Sequence, residues 1–123
     1  MQEVGAWGEA LGHPELDTVF IGGGTPSLVP AAQIAGLMDG VRASFKLAQG
    51  AEVSMEANPQ SAEAMKMDAW LDAGINRLSL GVQSLDDASL RFLERANDAD
   101  EARSVMARAR SAGFRSLSFD LIF

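Results

Sequence analysis

The 123-residue sequence contains no cysteine and a single histidine, His13. It can therefore form no disulfide, and it offers neither thiolates nor a second imidazole with which to hold a metal ion. His13 precedes Pro14, and because a residue before proline favours an extended backbone, we interpret His13 as a loop residue rather than a ligand. We predict neither a metal site nor a catalytic residue within this chain.

Basic side chains are scarce. The sequence contains 10 Lys and Arg residues and 17 Asp and Glu residues, which gives a net charge of −7. Such a chain has no electrostatic attraction for the phosphates of nucleic acid or for anionic lipid, so we expect neither as a partner. Long apolar runs are missing too, and the first residues lack the basic and apolar regions of a signal peptide. We expect no membrane span and a cytoplasmic location.

What is present is a hydrophobic content of 47%, sufficient for one globular domain in a chain too short for two. Short β-rich runs, predicted as strands over 17–21, 52–56, 77–82 and 116–122, alternate with segments long enough for one helix each. This alternation predicts an α/β fold with about four parallel strands.

Three helices are predicted between the strands. The first has Pro30 at its N1 position, and the second ends at Gly74. The third begins at Asp98 with a capping box and ends at Gly113. Their apolar residues recur at three- and four-residue steps and should cover the sheet. These residues are Ile34, Leu37, Met38, Val41 and Phe45; Met67, Trp70 and Leu71; and Ala102, Val105, Met106 and Ala109.

A helix end followed by a strand occurs twice: residues 73–80 align without a gap with residues 112–119. Because side chains alternate along a strand, the aligned copies predict one polar and one apolar face. The polar face carries Ser54, Glu56, Ser79, Gly81, Gln83, Ser116, Ser118 and Asp120. Along these strands the polar face carries small hydroxyl side chains, and a carboxylate or an amide follows at the carboxyl end. This pattern predicts an interior that holds a polar ligand. The alternative is a two-layer sheet with one solvated face.

Three consecutive glycines, Gly22 to Gly24, follow the first predicted strand. Glycines at a strand end let a ligand approach the backbone and can direct several N–H groups at an anion. The sequence is not a P-loop, and Ser27 stands where the dinucleotide fingerprint requires its third glycine. A glycine-rich turn without a ligand is the alternative at this point.

Four motifs together resemble the radical S-adenosylmethionine (SAM) family that includes oxygen-independent coproporphyrinogen III oxidase. Their residues are more similar to the heme-chaperone branch of this family. The four motifs are Phe20-Ile21-Gly22-Gly23-Gly24-Thr25-Pro26-Ser27-Leu28, Glu56-Ala57-Asn58-Pro59, Arg77-Leu78-Ser79-Leu80-Gly81-Val82-Gln83-Ser84 and Asp120-Leu121-Ile122. The resemblance implies that residues 1–123 are a single partial domain of a TIM-like (β/α) barrel, truncated at both ends. The rest of the parent chain would complete the barrel, and four strands with open edges should be only marginally stable.

The resemblance also implies a SAM site. Gly23, Gly24 and Thr25 match the family's contacts to the amino-acid end of SAM through backbone groups. Glu56, Gln83 and Asp120 match its carboxylate and amide contacts to the amino group or the ribose hydroxyls. Arg95 matches an arginine suited to the methionine carboxylate, because a guanidinium offers two parallel donors. An ordinary capped strand end or a surface arginine is the alternative for these residues.

The three cysteines that hold the family's [4Fe-4S] cluster are absent here, so the cluster would belong to the parent protein and the chain by itself should be inactive. The parent would either oxidatively decarboxylate coproporphyrinogen III through a 5′-deoxyadenosyl radical or bind and hand on heme. A Rossmann-like nucleotide-binding fragment is the third alternative. The missing third glycine speaks against it.

Overall fold

The computed structural model describes residues 2–122, apart from the side chain of Ala64. Within that part, helices and strands alternate as the sequence predicts. The elements are α1 (Gln2–Leu11), β1 (Glu15–Ile21), α2 (Ala31–Ser44), β2 (Lys46–Ala57), α3 (Ala64–Asp72), β3 (Arg77–Gln83), α4 (Asp87–Phe92), α5 (Ala99–Ala112) and β4 (Ser116–Leu121). Two short 3-10 turns, Pro26–Leu28 and Pro59–Ser61, follow β1 and β2 respectively.

The four strands form one parallel sheet in the order β1-β2-β3-β4. Each strand therefore pairs with the next one along the chain, as in an arc of a (β/α) barrel. A Rossmann sheet has the order 3-2-1-4, so the sequential order speaks against that alternative. The predicted parallel α/β fold is confirmed.

The predicted start of β2 at residue 52 is wrong, because the strand begins at Lys46. Gln49 and Gly50 interrupt the alternation of polar and apolar residues, so the first part of the strand could not be predicted from the sequence. The pairing of β1 with β2 is irregular at the same place: Leu16 pairs with Leu47, whereas Thr18 pairs with Glu52. The other strand boundaries differ from the prediction by at most two residues.

The predicted helix ends agree with the structure in three of four cases. Gly74 and Gly113 both adopt a left-handed backbone, with φ of 91° and 107°. The side chain of Asp98 accepts a hydrogen bond from the Glu101 N–H at 2.7 Å. Pro30 is the N-cap of α2 rather than its N1 residue, and Phe45 lies beyond the helix in an extended conformation.

Helices α1 and α4 were not predicted. The periodicity of α1 is weakened by Gly5 and Gly8, and α4 is only six residues long. Gly8 lets α1 approach the end of α2, since a Cβ there would lie 2.7 Å from the Ser44 carbonyl oxygen. His13 lies in the loop after α1 and donates from Nδ1 to that same carbonyl at 2.7 Å. This bond gives His13 a structural role in holding the loop against α2.

The hydrophobic core lies between the sheet and α2, α3 and α5. On the sheet it contains Val53, Met55, Leu78, Leu80 and Val82, all at most 3% exposed. The helices contribute Met38, Met67, Trp70, Ala102 and Val105, all fully buried. The polar residues of the strands lie on the opposite face, which separates packing from any binding function. Within residues 2–122, no helix is both long enough and apolar enough to cross a membrane.

Candidate ligand-binding cleft

A cleft of about 260 Å³ lies on the polar face, at the carboxyl ends of the strands. Six of the seven predicted site residues line it: Gly24, Thr25, Glu56, Gln83, Arg95 and Asp120. Pro26, Ala57, Asn58, Ser79 and Gly81 also contribute to the lining. Among these, the sequence analysis placed Ser79 and Gly81 on the polar face but assigned no site role to any of the five. Ligands of parallel α/β proteins bind at this end of the sheet.

Gly23, the seventh predicted residue, does not line the cleft. Its N–H donates to Glu56 Oε2 at 3.2 Å, so this backbone group is used to orient a side chain. Gly23 and Gly24 have φ of 90° and 61°, in the left-handed region that favours glycine. A Cβ at Gly22 would collide with the Phe20 ring and lie 3.2 Å from the Glu56 carboxyl carbon. The glycine run therefore brings the loop directly against Glu56.

Asp120 is held by a short chain of hydroxyl groups on the polar face. Ser118 Oγ donates to Ser79 Oγ at 3.1 Å, and Ser79 Oγ donates to Asp120 Oδ2 at 3.2 Å. Ser79 pairs with Ser118 in the register of β3 and β4. The period of two predicted from the sequence thus brings these three side chains together. The other Asp120 carboxylate oxygen is available to a ligand.

Gln83 ends β3 with a positive φ of 66°, at an irregularity in the pairing with β4 between Leu80 and Gln83. Its amide lies close above Gly81, because a Cβ at Gly81 would be only 3.0 Å from Gln83 Nε2. A side chain at residue 81 would displace the Gln83 amide from the cleft. The glycine is therefore part of what positions Gln83.

Arg95 reaches the cleft from the segment that follows the short helix α4. Asp86 caps this helix, and hydrogen bonds from the backbone N–H and hydroxyl of Ser89 lower the pKa of the Asp86 carboxyl. The chain turns back at Glu94, where φ is 52°, and the Arg95 N–H donates to the Leu90 carbonyl at 2.9 Å. Arg95 Nη2 then donates to the Gly81 carbonyl at 3.1 Å. The rest of the guanidinium makes no hydrogen bond to the described residues.

Within residues 2–122, no three metal-ligating side chains lie close enough together to hold an ion. The cleft instead presents two carboxylates, one amide, one guanidinium and the backbone of a glycine-rich loop. These groups come from the ends of all four strands and from the segment after α4. The cleft thus brings acidic groups, which attract cations, close to a basic group, which attracts anions.

Parallel βα proteins with such polar strand ends bind small ligands or cofactors there, and this chain has that architecture. The sequence profile of the radical SAM superfamily matches residues 1–123. The chain belongs to this superfamily. Its members use SAM together with a [4Fe-4S] cluster, and no cysteine is available in these 123 residues to ligate one.

Curated relatives support the branch that the motifs indicated. The chain is 44% identical over 108 residues to the heme chaperone HemW of Escherichia coli, covering 88% of the chain and 29% of that protein. It is 41% identical over 111 residues to the mouse mitochondrial radical S-adenosyl methionine domain-containing protein 1, covering 90% of the chain and 25% of that protein. The chain thus spans less than a third of the length of these relatives.

Solved structures show the same fold. Coproporphyrinogen III oxidase (HemN) from Escherichia coli, a radical SAM enzyme, superimposes with a TM-score of 0.81 at 35% identity. The match covers 89% of this chain and 25% of that one. The archaeal Elp3 of Methanocaldococcus infernus has a TM-score of 0.72 at 18% identity over 95% of this chain and 32% of that one, a likeness of fold.

Proposed function

We propose that the cleft is the part of a radical SAM site that binds the methionine and ribose portions of SAM. Arg95 binds the methionine carboxylate, while Glu56, Gln83 and Asp120 receive the amino group and the ribose hydroxyls. The backbone of Gly24 and Thr25 contacts the amino-acid end directly. Gly23 acts through Glu56, because its N–H already donates to that carboxylate.

The chemistry of the cleft fits SAM. SAM carries an ammonium, a carboxylate, a sulfonium and a ribose diol, and the cleft offers carboxylates for the cationic groups and a guanidinium for the anionic one. Ser79 donates to one oxygen of Asp120, and Gly23 donates to one oxygen of Glu56. One oxygen of each carboxylate is therefore left for the ligand. The glycines at 24 and 81 keep side chains out of the space between these groups.

The observation that carries the proposal is the convergence of residues from distant parts of the chain. Glu56, Gln83, Arg95 and Asp120 were assigned from motifs that lie up to 64 positions apart, 56 to 120, and they line one cleft. Bound SAM and the cluster together supply one-electron chemistry in this superfamily. The residues described here bind and orient SAM for that chemistry.

For the complete protein, we favour a heme chaperone over an oxidase. The curated relatives named HemW are up to 44% identical to the chain, whereas the oxidase HemN is 35% identical. Oxidative decarboxylation of coproporphyrinogen III is the alternative activity. Heme binding without release of CO₂ from coproporphyrinogen III would support the chaperone, and CO₂ release that depends on SAM would support the oxidase. The same proposal includes a cytoplasmic location. It also excludes nucleic acid as a partner, which the charge of −7 supports.

The SAM proposal is tested by calorimetric titration of SAM into the complete gene product, purified and reconstituted without oxygen. Glu56→Gln, Asp120→Asn and Arg95→Ala should each weaken binding by about 10- to 100-fold, because the first two remove the charge that strengthens a hydrogen bond to SAM and the third removes the guanidinium itself.

Two exposed positions outside the cleft, Asp68→Asn and Arg110→Ala, serve as matched controls and should leave the SAM affinity unchanged. If the cleft variants bind SAM as tightly as the controls do, the proposal is wrong.

A further inference from the structure

Ser27 lies in the 3-10 turn that follows the three glycines, yet it does not line the cleft and is completely buried. Its Oγ accepts a hydrogen bond from the Asn58 N–H at 3.0 Å and lies 2.6 Å from Ser61 Oγ. Its carbonyl accepts a hydrogen bond from Lys66 Nζ at 3.3 Å. Ser27 is thus tied at both its side chain and its backbone to the segment that follows β2.

The direction of these hydrogen bonds follows from their partners. Ser61 Oγ donates to the Asn58 carbonyl at 3.2 Å, so the proton between the two hydroxyls must come from Ser27. The bonds then form a closed circuit: Asn58 N–H to Ser27, Ser27 to Ser61, and Ser61 back to the Asn58 carbonyl. Each hydroxyl donates once and accepts once, as buried polar groups require. We call these three residues the serine clasp.

The clasp joins the two 3-10 turns that follow β1 and β2, and two sides of the cleft lie next to those turns in the chain. Gly24, Thr25 and Pro26 precede Ser27 directly, whereas Glu56 and Ala57 precede Asn58 directly. The loop is also held by the Gly23 N–H bond to Glu56, whereas no atom would contact a Cβ at Gly23 or Gly24 within 4 Å. Fixing Ser27 therefore provides a second constraint on the distance between the loop backbone and the Glu56 carboxylate.

We propose that Ser27 and Ser61 are positioning residues for SAM: they set the separation of the glycine loop and Glu56 without touching the ligand. This inference rests on the proposed SAM site. A loop freed from the clasp would have to be ordered by SAM itself, so part of the binding free energy would be lost to that ordering. Lys66 supports the same arrangement from the other side of Ser27.

The experiment measures SAM affinity of the complete gene product for Ser27→Ala, Ser61→Ala and the double variant. Each single variant should weaken binding about tenfold, the effect of one lost buried hydrogen bond. Because the two hydroxyls act in one circuit, the double variant should bind SAM about as well as either single variant. Ser61→Thr retains the hydroxyl and should bind like the wild type. Should Ser27→Ala fail to fold, Ser61→Ala, at a residue 5% exposed, opens the same circuit and decides the question.

Hydrogen exchange at the amides of residues 23–25 provides a second measurement and should accelerate in both single variants. Ser104→Ala removes an exposed hydroxyl of α5 and is the matched control. If Glu56→Gln weakens SAM binding while the clasp variants bind normally, the clasp inference is wrong and the SAM site stands. If the wild-type protein and Glu56→Gln bind SAM equally, the SAM site itself is wrong.

Discussion

The chain contains the same unit twice, a helix ending at a left-handed glycine and leading into a strand, and the two copies have different surroundings. In the first copy, α3, Gly74 and β3, the residues Leu78 and Leu80 are completely buried. In the second, α5, Gly113 and β4, the equivalent Leu117 is half-buried and Phe119 is 36% exposed. β3 pairs with strands on both sides, whereas β4 pairs with β3 on one side within the described residues. The same local pattern therefore specifies which face of the sheet a residue occupies, but not how deeply that residue is buried.

The largest expected effect compares Leu78→Ala with Leu117→Ala, two leucines that are paired in the sheet and occupy the same place in the two copies. Leu78→Ala should lower the free energy of unfolding by about 3 kcal/mol or more, because it leaves a cavity in the core. Leu117→Ala should cost roughly half as much, since its side chain already contacts solvent. Urea unfolding of the complete gene product measures both, and equal costs would show that the two copies are packed alike.

A smaller effect compares the two glycines. Gly74→Ala and Gly113→Ala both place a Cβ on a left-handed residue, at a cost of about 1–2 kcal/mol each. At Gly74 the new Cβ would also collide with the Arg42 guanidinium, which donates to the Ala73 carbonyl, whereas no atom lies within 4 Å at Gly113. Gly74→Ala should therefore cost about 1 kcal/mol more than Gly113→Ala in thermal or urea unfolding. The removal of Arg42 should abolish that difference.

The smallest effect concerns the starts of the two helices. Asp98 caps α5 through the Glu101 N–H, whereas Glu63 at the start of α3 makes no side-chain capping bond. Asp98→Ala should cost about 1 kcal/mol, and Asp98→Asn should restore most of it, because asparagine caps as well as aspartate does. Glu63→Ala should change the unfolding free energy by less than about 0.5 kcal/mol. A comparable loss at both positions would contradict the capping geometry.

Much of the site could be predicted from the sequence because strand alternation is a local rule. Ser79, Ser118 and Asp120 were placed on one face by their spacing, and they form a hydrogen-bonded chain there. Arg95 is different, since it lies outside every strand and was assigned only by its match to a family motif. Its approach to the Gly81 carbonyl depends on the short helix α4, which the sequence did not reveal.

Gly23 and Ser27 mark where the sequence was insufficient. Gly23 was expected to contact SAM, yet its N–H donates to Glu56, 33 positions away. Ser27 was noted for standing where a dinucleotide-binding loop requires glycine, and its burial against Ser61, 34 positions away, was not foreseen. No periodicity or spacing in the sequence predicts that the Ser27 hydroxyl contacts a residue in the turn after β2.

The sequence by itself determined the parallel α/β fold, the polar and apolar faces of the strands, three of the helix ends and the membership of the radical SAM superfamily. These features depend on side chains within about four positions of each other, or on motifs read directly from the residues. Only the tertiary structure decided how deeply each copy of the repeated unit is buried, how Gly23 orients Glu56 and how the serine clasp closes. The physical reason is that burial depends on which strands flank each copy, whereas the contacts of Gly23 and Ser27 join residues about 30 positions apart that come together only when β1 and β2 pair.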